Sequence, residues 1–198
     1  MRLHDQLSGA LLTPEQALGM SVQGGRTHSA VLVPLFCDPQ QRLHAVFTRR
    51  REDLSRHPGE ISFPGGRRDD GESLQETALR EAHEEVGLPA DDVTVVGALT
   101  PVGTFATDYA IYPFVGLIEH GFEWVMQETE VAEVLELALD DLVAGHSLKR
   151  MERRGVAFRT DVYEVGEHMV WGATARILND LLRRLEVGPR HPWRLERE

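Results

Sequence analysis

Residues 73–87, SLQETALREAHEEVG, carry both ends of a helix in the sequence itself. Ser73 and Glu76 have the spacing of a capping box, in which each side chain satisfies the other residue's free backbone amide. Gly87 stands where a helix often stops in a left-handed residue. A helix over 73–86 is therefore expected. At about 100° per residue, Leu79, Ala82 and Val86 share one stripe, which has to be covered by an apolar layer. Glu81 and Glu85 lie one turn apart on a different face, with Glu84 on its shoulder. Three carboxylates then fall within about 100° of arc.

The covering layer is legible on both sides of that helix. SAVLVPLF (29–36) and LHAVFT (43–48) read as strands, and DPQQ between them supplies turn residues for a hairpin. A short apolar ISF and the turn PGG (64–66) precede the helix. VTVVGALTPV (93–102), AIYPFVGLIE (110–119), VAEVLEL (131–137) and GVAFRTDVYEV (155–165) read as further strands. An amphipathic helix is expected over 172–186. A short helix over 14–20 is expected near the start, with Thr13 as cap and Pro14 in the first turn. The pattern implies an α/β fold with a mixed sheet covered on both faces. With no low-complexity linker and no repeat, one domain over 1–198 is expected. Its core spans about 28–186, with a helical extension at 1–25 and a short tail at 187–198.

Charge and cysteine content narrow the partners. The net charge is −11, from 32 acidic and 21 basic residues, which argues against non-specific nucleic-acid binding. Cys37 is the one cysteine, so no intrachain disulfide can form, and this fits a reducing compartment. No apolar run reaches the roughly 20 residues needed to span a bilayer, and the first residues lack a secretion pattern. The expectation is a cytoplasmic protein with neither nucleic-acid nor membrane partners, as a monomer or homodimer.

Glu81, Glu84 and Glu85 repel one another, at about 0.2–0.5 kcal/mol per pair on an isolated helix. A hard divalent cation reverses the sign of that interaction. Oxygen-only ligands suit Mg²⁺ or Mn²⁺, which take a few carboxylates and fill their shells with water and substrate phosphates. The alternative for the helix alone is a solvated acidic face. The surrounding residues favour the cation. From Gly66, through Glu72 and Arg80-Glu81 to Glu84-Glu85, Gly87 and Leu88, the spacing resembles the Nudix box, the signature of Nudix hydrolases. Ala82, at an aliphatic position, is the one mild departure.

That resemblance implies an α/β/α sandwich in which the box forms a loop–helix–loop. It implies metal ligation by Glu81 and Glu85, with Glu84 close to the metal and the attacking water. It implies that Glu72 and Arg80 pair to hold the loop on the helix, and that a carbonyl near Gly65–Gly66 adds a ligand. Upstream, Arg49, Arg50, Arg51, Arg56 and His57 make a local basic cluster in an acidic chain. Arginine suits phosphate because its planar fork can bond two oxygens. Without context the alternative is a charged surface loop.

The stretch 46–66 also resembles the motif of the coenzyme A pyrophosphatase branch, through Val46, Phe47, Thr48, Arg50, Gly59, Phe63, Pro64, Gly65 and Gly66. Arg51 and Ser55 depart from that motif. YPFVG (112–116), EVAEVLEL (130–137) and WGATARIL (171–178) look like later segments of the same branch. The implied substrate is coenzyme A or a derivative, held by Arg49, Arg50, Arg56, His57, Gly65 and Gly66. Glu130 is a candidate further ligand or general base. Trp171 is read as structural, with adenine stacking as the alternative, and His83 as exposed. ADP-ribose or NADH is the alternative substrate, and a nucleotide-binding module without catalysis is the alternative class.

Overall fold

The computed structural model describes residues 3–22, 24–54, 57–104, 108–153, 155–188 and 193. Two helices, α1 (Leu3–Ala10) and α2 (Pro14–Leu18), lead into β1 (Thr27–Cys37) and β2 (Leu43–Arg50). The turn between the strands is the expected hairpin. Asp38 caps it by accepting from the Arg42 amide at 2.8 Å, and Gln41 takes a left-handed φ of 66°. Two short strands follow, β3 (Ile61–Ser62) and β4 (Gly65–Arg67), then the helix α3 (Leu74–Val86).

The rest of the chain runs β5 (Thr94–Ala98), β6 (Val102–Gly103), β7 (Tyr109–Leu117), β8 (Val131–Ala138), α4 (Leu139–Ala144), β9 (His146–Arg153), β10 (Val156–Val165), β11 (His168–Trp171) and α5 (Gly172–Arg184). The continuous strand expected over 93–102 is broken in two. Pro101 has no amide to donate, and the Thr100 amide goes to Asp180 at 2.9 Å instead of to a ladder. The sequence reading missed α1, α4, β9 and β11.

The main sheet is mixed. β1 pairs in parallel with β7, and its other pairings are antiparallel. β1 and β2 pair only from Leu35↔Ala45 to Cys37↔Leu43, and then diverge. The opening between them is filled by the turn that carries β3 and β4. β3 pairs with β2 at Thr48↔Ser62, and β4 pairs with β1 at Val31↔Gly65. The Leu32 amide donates to the Pro64 carbonyl at 2.9 Å and ties the two sides together. A sheet that splits in this way leaves a place where backbone and side chains from three strands face one helix.

The sheet has a core on each face. On one side, Ala30, Leu32, Phe36, Val46 and Phe114 pack against Leu74, Ala78, Ala82 and Val86 of α3. On the other, Val33, Leu35 and Phe47 pack with Leu139 and Leu142 of α4, Tyr163 of β10, and Ile177, Leu178 and Leu181 of α5. This is the α/β/α arrangement, with a small antiparallel sheet β11-β10-β9 sharing the α5 layer. Leu7 of α1 is fully buried in the second core, so the helical start is packed into the fold. No helix among the described residues is long and apolar enough to cross a membrane.

Asp180 anchors α5 to the break between β5 and β6. It accepts from the Thr100 amide, and pairs with Arg183 at 2.7 Å and Arg184 at 2.9 Å. Burial opposes its charge, but these donors outweigh burial and hold the carboxyl down at about 2. Its folded pKa lies below the unfolded value, so its contribution is complete above about pH 4 and is lost as pH falls towards 2. Asp180→Asn is expected to lower stability by about 2 kcal/mol at pH 7, with a smaller deficit at pH 3. Urea denaturation at both pH values checks this; an equal deficit at both would contradict it.

Candidate active site

α3 begins as its sequence dictates. Ser73 Oγ accepts from the Glu76 amide at 3.2 Å, and Glu76 Oε2 accepts from the Ser73 amide at 2.7 Å. Gly87 ends it with a left-handed φ of 73°. The helix lies against the split in the sheet, and its carboxylates do not share one environment. Glu85 is turned inward and is only 7% exposed, a burial that the stripe of Leu79, Ala82 and Val86 did not anticipate. Its Oε2 accepts from the Gly65 amide at 3.3 Å. Glu81 is half-buried one turn earlier, beside Gly66. Glu84 is at the solvent edge, and His83 is exposed.

Two glycines create this site. A Cβ on Gly65 would lie 2.3 Å from the Ala30 carbonyl oxygen, so β4 could not approach β1 with any side chain there. A Cβ on Gly66 would lie 2.3 Å from Glu81 Oε1, inside the space that carboxylate occupies. The glycine pair lets backbone, Glu81 and Glu85 meet at one spot.

Arg80 binds the loop to the helix. Its Nε donates to Glu72 Oε1 at 2.6 Å, its Nη1 to Glu81 at 3.0 Å and Glu84 at 3.1 Å, and its Nη2 to the Arg67 carbonyl at 3.1 Å. Glu72 also accepts from Thr77 Oγ1 at 2.9 Å and from the Asp69 amide at 3.2 Å. The Arg80 hydrogen bonds, partly opposed by burial and aided by Thr77 and Asp69, hold the Glu72 carboxyl at about 2.

The inner carboxylates behave in the opposite way. Burial, then the Glu81 charge, pushes the Glu85 carboxyl up to about 8, against the Gly65 amide and Arg50. Burial also raises Glu81, against the pull of Arg80, with Glu84 and Glu130 adding repulsion. Glu130 is exposed and faces Arg50 at 3.8 Å. The electrostatic neighbourhood of Glu85 thus includes Glu81, Arg50 and Glu130.

The loop that delivers Glu130 was not assigned from sequence. Its Val125 amide donates to the Val86 carbonyl at 3.1 Å, and its Gln127 amide to the Glu85 carbonyl at 2.9 Å. These are carbonyls the last turn of a helix leaves free. The loop is therefore seated on the end of α3 itself. Trp124 Nε1 donates to Glu136 on β8 at 2.7 Å and pins the loop's other side. The signal was a Val-Met-Gln stretch with no chemistry of its own.

The basic cluster is dispersed by pairing. Arg49 is bound to Glu133 at 2.9 Å, Arg51 to Asp53 at 2.8 Å, and His57 Nδ1 to Glu60 at 2.5 Å. The β2–β8 register shifts between Arg49 and Arg50, and the two arginines take different partners, Glu133 and Glu130. Arg56 lies outside the described residues. Of the described residues of the cluster, Arg50 is the cation that acts on Glu85. Trp171 is half-buried at the end of β11, as the residue preceding α5.

The donor set fits a hard divalent cation. Among the described residues no three His, Cys, Asp or Glu side chains form a ready-made metal cage. Mg²⁺ needs none, since it binds through one or two carboxylates and keeps several waters and substrate phosphates. Among the described residues Glu85 accepts one long hydrogen bond and is in no ion pair, and the half-buried Glu81 beside it is paired with Arg80 at 3.0 Å. A cleft of about 630 Å³ elsewhere is lined by Asp91, Asp92, Glu119 and Glu123, with no lysine or arginine. It offers nothing to a diphosphate.

The NUDIX domain family model matches residues 26–158. Over 163 residues the chain is 37% identical to the Nudix hydrolase NudL of Photorhabdus laumondii, covering 81% of this chain and 86% of that protein. NudL of Yersinia pestis is 36% identical, covering 80% of each. A MutT/nudix family protein from Enterococcus faecalis matches with a TM-score of 0.59 over 94% of this chain and 70% of its own, at 14% identity. The Nudix hydrolase RenU from M. smegmatis matches with a TM-score of 0.51 over 63% of this chain and 76% of its own, at 23% identity. At these identities the solved structures bear on the fold alone.

Two substitutions separate the framework from the carboxylates it holds. Glu72→Gln leaves Arg80 without its main partner and is expected to cost about 1–3 kcal/mol of stability. Gly66→Ala displaces only the flexible end of Glu81, so stability should change little while turnover falls. Urea denaturation and turnover with Mg²⁺ check both. An unchanged midpoint for Glu72→Gln, or full activity for Gly66→Ala, would contradict the assignment.

Proposed function

The chain belongs to the Nudix hydrolase family, and from that premise we propose that it cleaves the diphosphate of coenzyme A or a derivative, giving 3′,5′-adenosine bisphosphate and 4′-phosphopantetheine. The observation that carries this reading is the placement of the 46–66 motif. Thr48 is buried on β2, its hydroxyl 3.3 Å from the Ser62 carbonyl, and Phe47 stacks on Phe63 with ring centres 4.5 Å apart. The same stretch ends in the Gly65–Gly66 pair, and the Gly65 amide donates to Glu85 at 3.3 Å. The Gly65–Gly66 end of the motif that resembles the coenzyme A branch thus borders the carboxylate site, while Phe47 and Phe63 anchor it in the core on the sheet's other face.

In this reading Glu81 and Glu85 would hold Mg²⁺ or Mn²⁺, with a carbonyl of the Gly65–Gly66 backbone as a further donor and Glu84 close by. When bound, the cation polarises a phosphoryl oxygen and favours deprotonation of a water. Arg80 fixes the rotamers of Glu81 and Glu84 and keeps the box loop closed on the helix. Arg50 supplies positive charge to the diphosphate from the β2 side. Glu130, seated by the loop on the end of α3, takes the proton from the attacking water. Its exposure leaves it a route to return that proton to solvent.

One observation favours ADP-ribose or NADH as substrate instead. Arg49 and Arg51 are each bound to a carboxylate at 2.9 and 2.8 Å, and Arg50, the described cation of that run with the longest ion-pair distance, is 3.8 Å from Glu130, which leaves little positive charge for a 3′-phosphate. Turnover of coenzyme A, dephospho-coenzyme A, ADP-ribose and NADH with Mg²⁺ or Mn²⁺, products identified by mass, decides between them. The proposal expects coenzyme A or dephospho-coenzyme A to be cleaved fastest; faster ADP-ribose cleavage would overturn it.

Loss of partners outside the ligand shell commonly costs a metal enzyme 10–100-fold, so loss of a ligand should exceed roughly a hundredfold. Glu81→Gln and Glu85→Gln are each expected to lose that much turnover at saturating Mg²⁺. Both remove charge from a crowded acidic site, so the cation-free protein should be no less stable. Near-normal turnover in either variant would remove that residue from the ligand set.

A further inference from the structure

An open groove of about 560 Å³ adjoins the carboxylate site, and nothing above uses it. Its floor includes Val131, Ala132 and the flexible side chain of Met126, and its rim includes Arg51, Asp53 and Glu128. It is continuous with the site through the backbone. Arg50 is the register partner of Val131, and the Arg51 amide donates to the Glu130 carbonyl at 3.0 Å. A substrate whose diphosphate lies between Arg50 and Glu85 therefore has this groove on the β8 side.

The groove's charge says what it takes. Among the described residues that line it the one cation is Arg51, held by Asp53 through two bonds of 2.8 Å and by the Glu128 carbonyl at 2.9 Å. Asp53, Glu52 and Glu128 outnumber it, so a phosphate would meet a net negative rim. The floor is apolar, with Met126 41% exposed and Ala132 also open to solvent. A thioether on an unbranched chain adapts to a flexible apolar ligand.

We infer that this groove holds the uncharged, extended arm attached to the distal phosphate of the substrate, and that Arg51, fixed by Asp53, forms its rim rather than a phosphate contact. The inference rests on the diphosphatase reading above. It assigns to the Met126 loop a role in substrate choice, and to Ala132 the small side chain that keeps the groove open.

The test compares dephospho-coenzyme A with the methyl ester of ADP, which has the same nucleotide and diphosphate and no arm. The unmodified enzyme should favour dephospho-coenzyme A by about tenfold or more in kcat/KM, mainly through KM. Ala132→Phe, on an exposed position, fills the groove. It should erase that preference while leaving turnover of the methyl ester within about twofold. That unchanged turnover also reports an intact fold. Equal kcat/KM for the two substrates in the unmodified enzyme, or a preference that survives Ala132→Phe, would overturn the groove assignment alone. An equal loss on both substrates would do the same. Cleavage of neither by the unmodified enzyme would overturn the diphosphatase reading, and this inference with it.

Discussion

A carboxylate buried without a cation in contact is costly, and among the described residues Glu85 is such a group. It is 7% exposed, has Glu81 one turn away, and accepts one long hydrogen bond from Gly65. The neighbouring structure is what makes this position tolerable. β1 and β2 diverge to admit the Phe63–Gly66 turn, and Gly65 brings a backbone amide against the helix. Arg80 is bound to Glu81 at 3.0 Å, and the Arg50 charge favours the ionised form of Glu85. An apolar side chain at position 85 would avoid that cost, so packing does not account for the carboxylate.

Around that group the site divides into a rigid frame and an exposed edge. Arg80 joins Glu72, Glu81, Glu84 and the Arg67 carbonyl, and so ties loop, strand and helix through one guanidinium. The end of α3 is tied equally firmly, since its free carbonyls at Glu85 and Val86 accept from the 125–127 loop. The backbone bonds that finish the helix therefore also carry Glu130 to the acidic pair. The open side, towards Arg50, Glu130 and the groove by Ala132, is where substrate has room.

Much of this was legible because the determinants are local. The capping box, Gly87 and the spacing of Glu72, Arg80, Glu81, Glu84 and Glu85 lie within one short stretch, and the strands flanking it show clear apolar runs. What escaped depends on distant partners. Glu85 belongs to the buried side of α3 because Gly65 arrives from another strand. The arginine cluster looks like a phosphate site in one dimension, yet Glu133 and Asp53 occupy Arg49 and Arg51 in three. β9 was missed because its stretch is charged and β11 because it has only four residues, and both lie at the edges of the small sheet. The Val125–Gln127 loop has no sequence signature, since it acts through backbone amides.

The central claim is that Glu81 and Glu85 together bind a divalent cation in the place prepared by Gly65 and Gly66. The most direct measurement is the free Mn²⁺ signal by electron paramagnetic resonance during titration of the protein, without substrate. The account predicts that the unmodified protein depletes free Mn²⁺ and that the double substitution Glu81→Gln, Glu85→Gln abolishes the depletion with the fold retained. Undiminished Mn²⁺ binding by the double variant would contradict it.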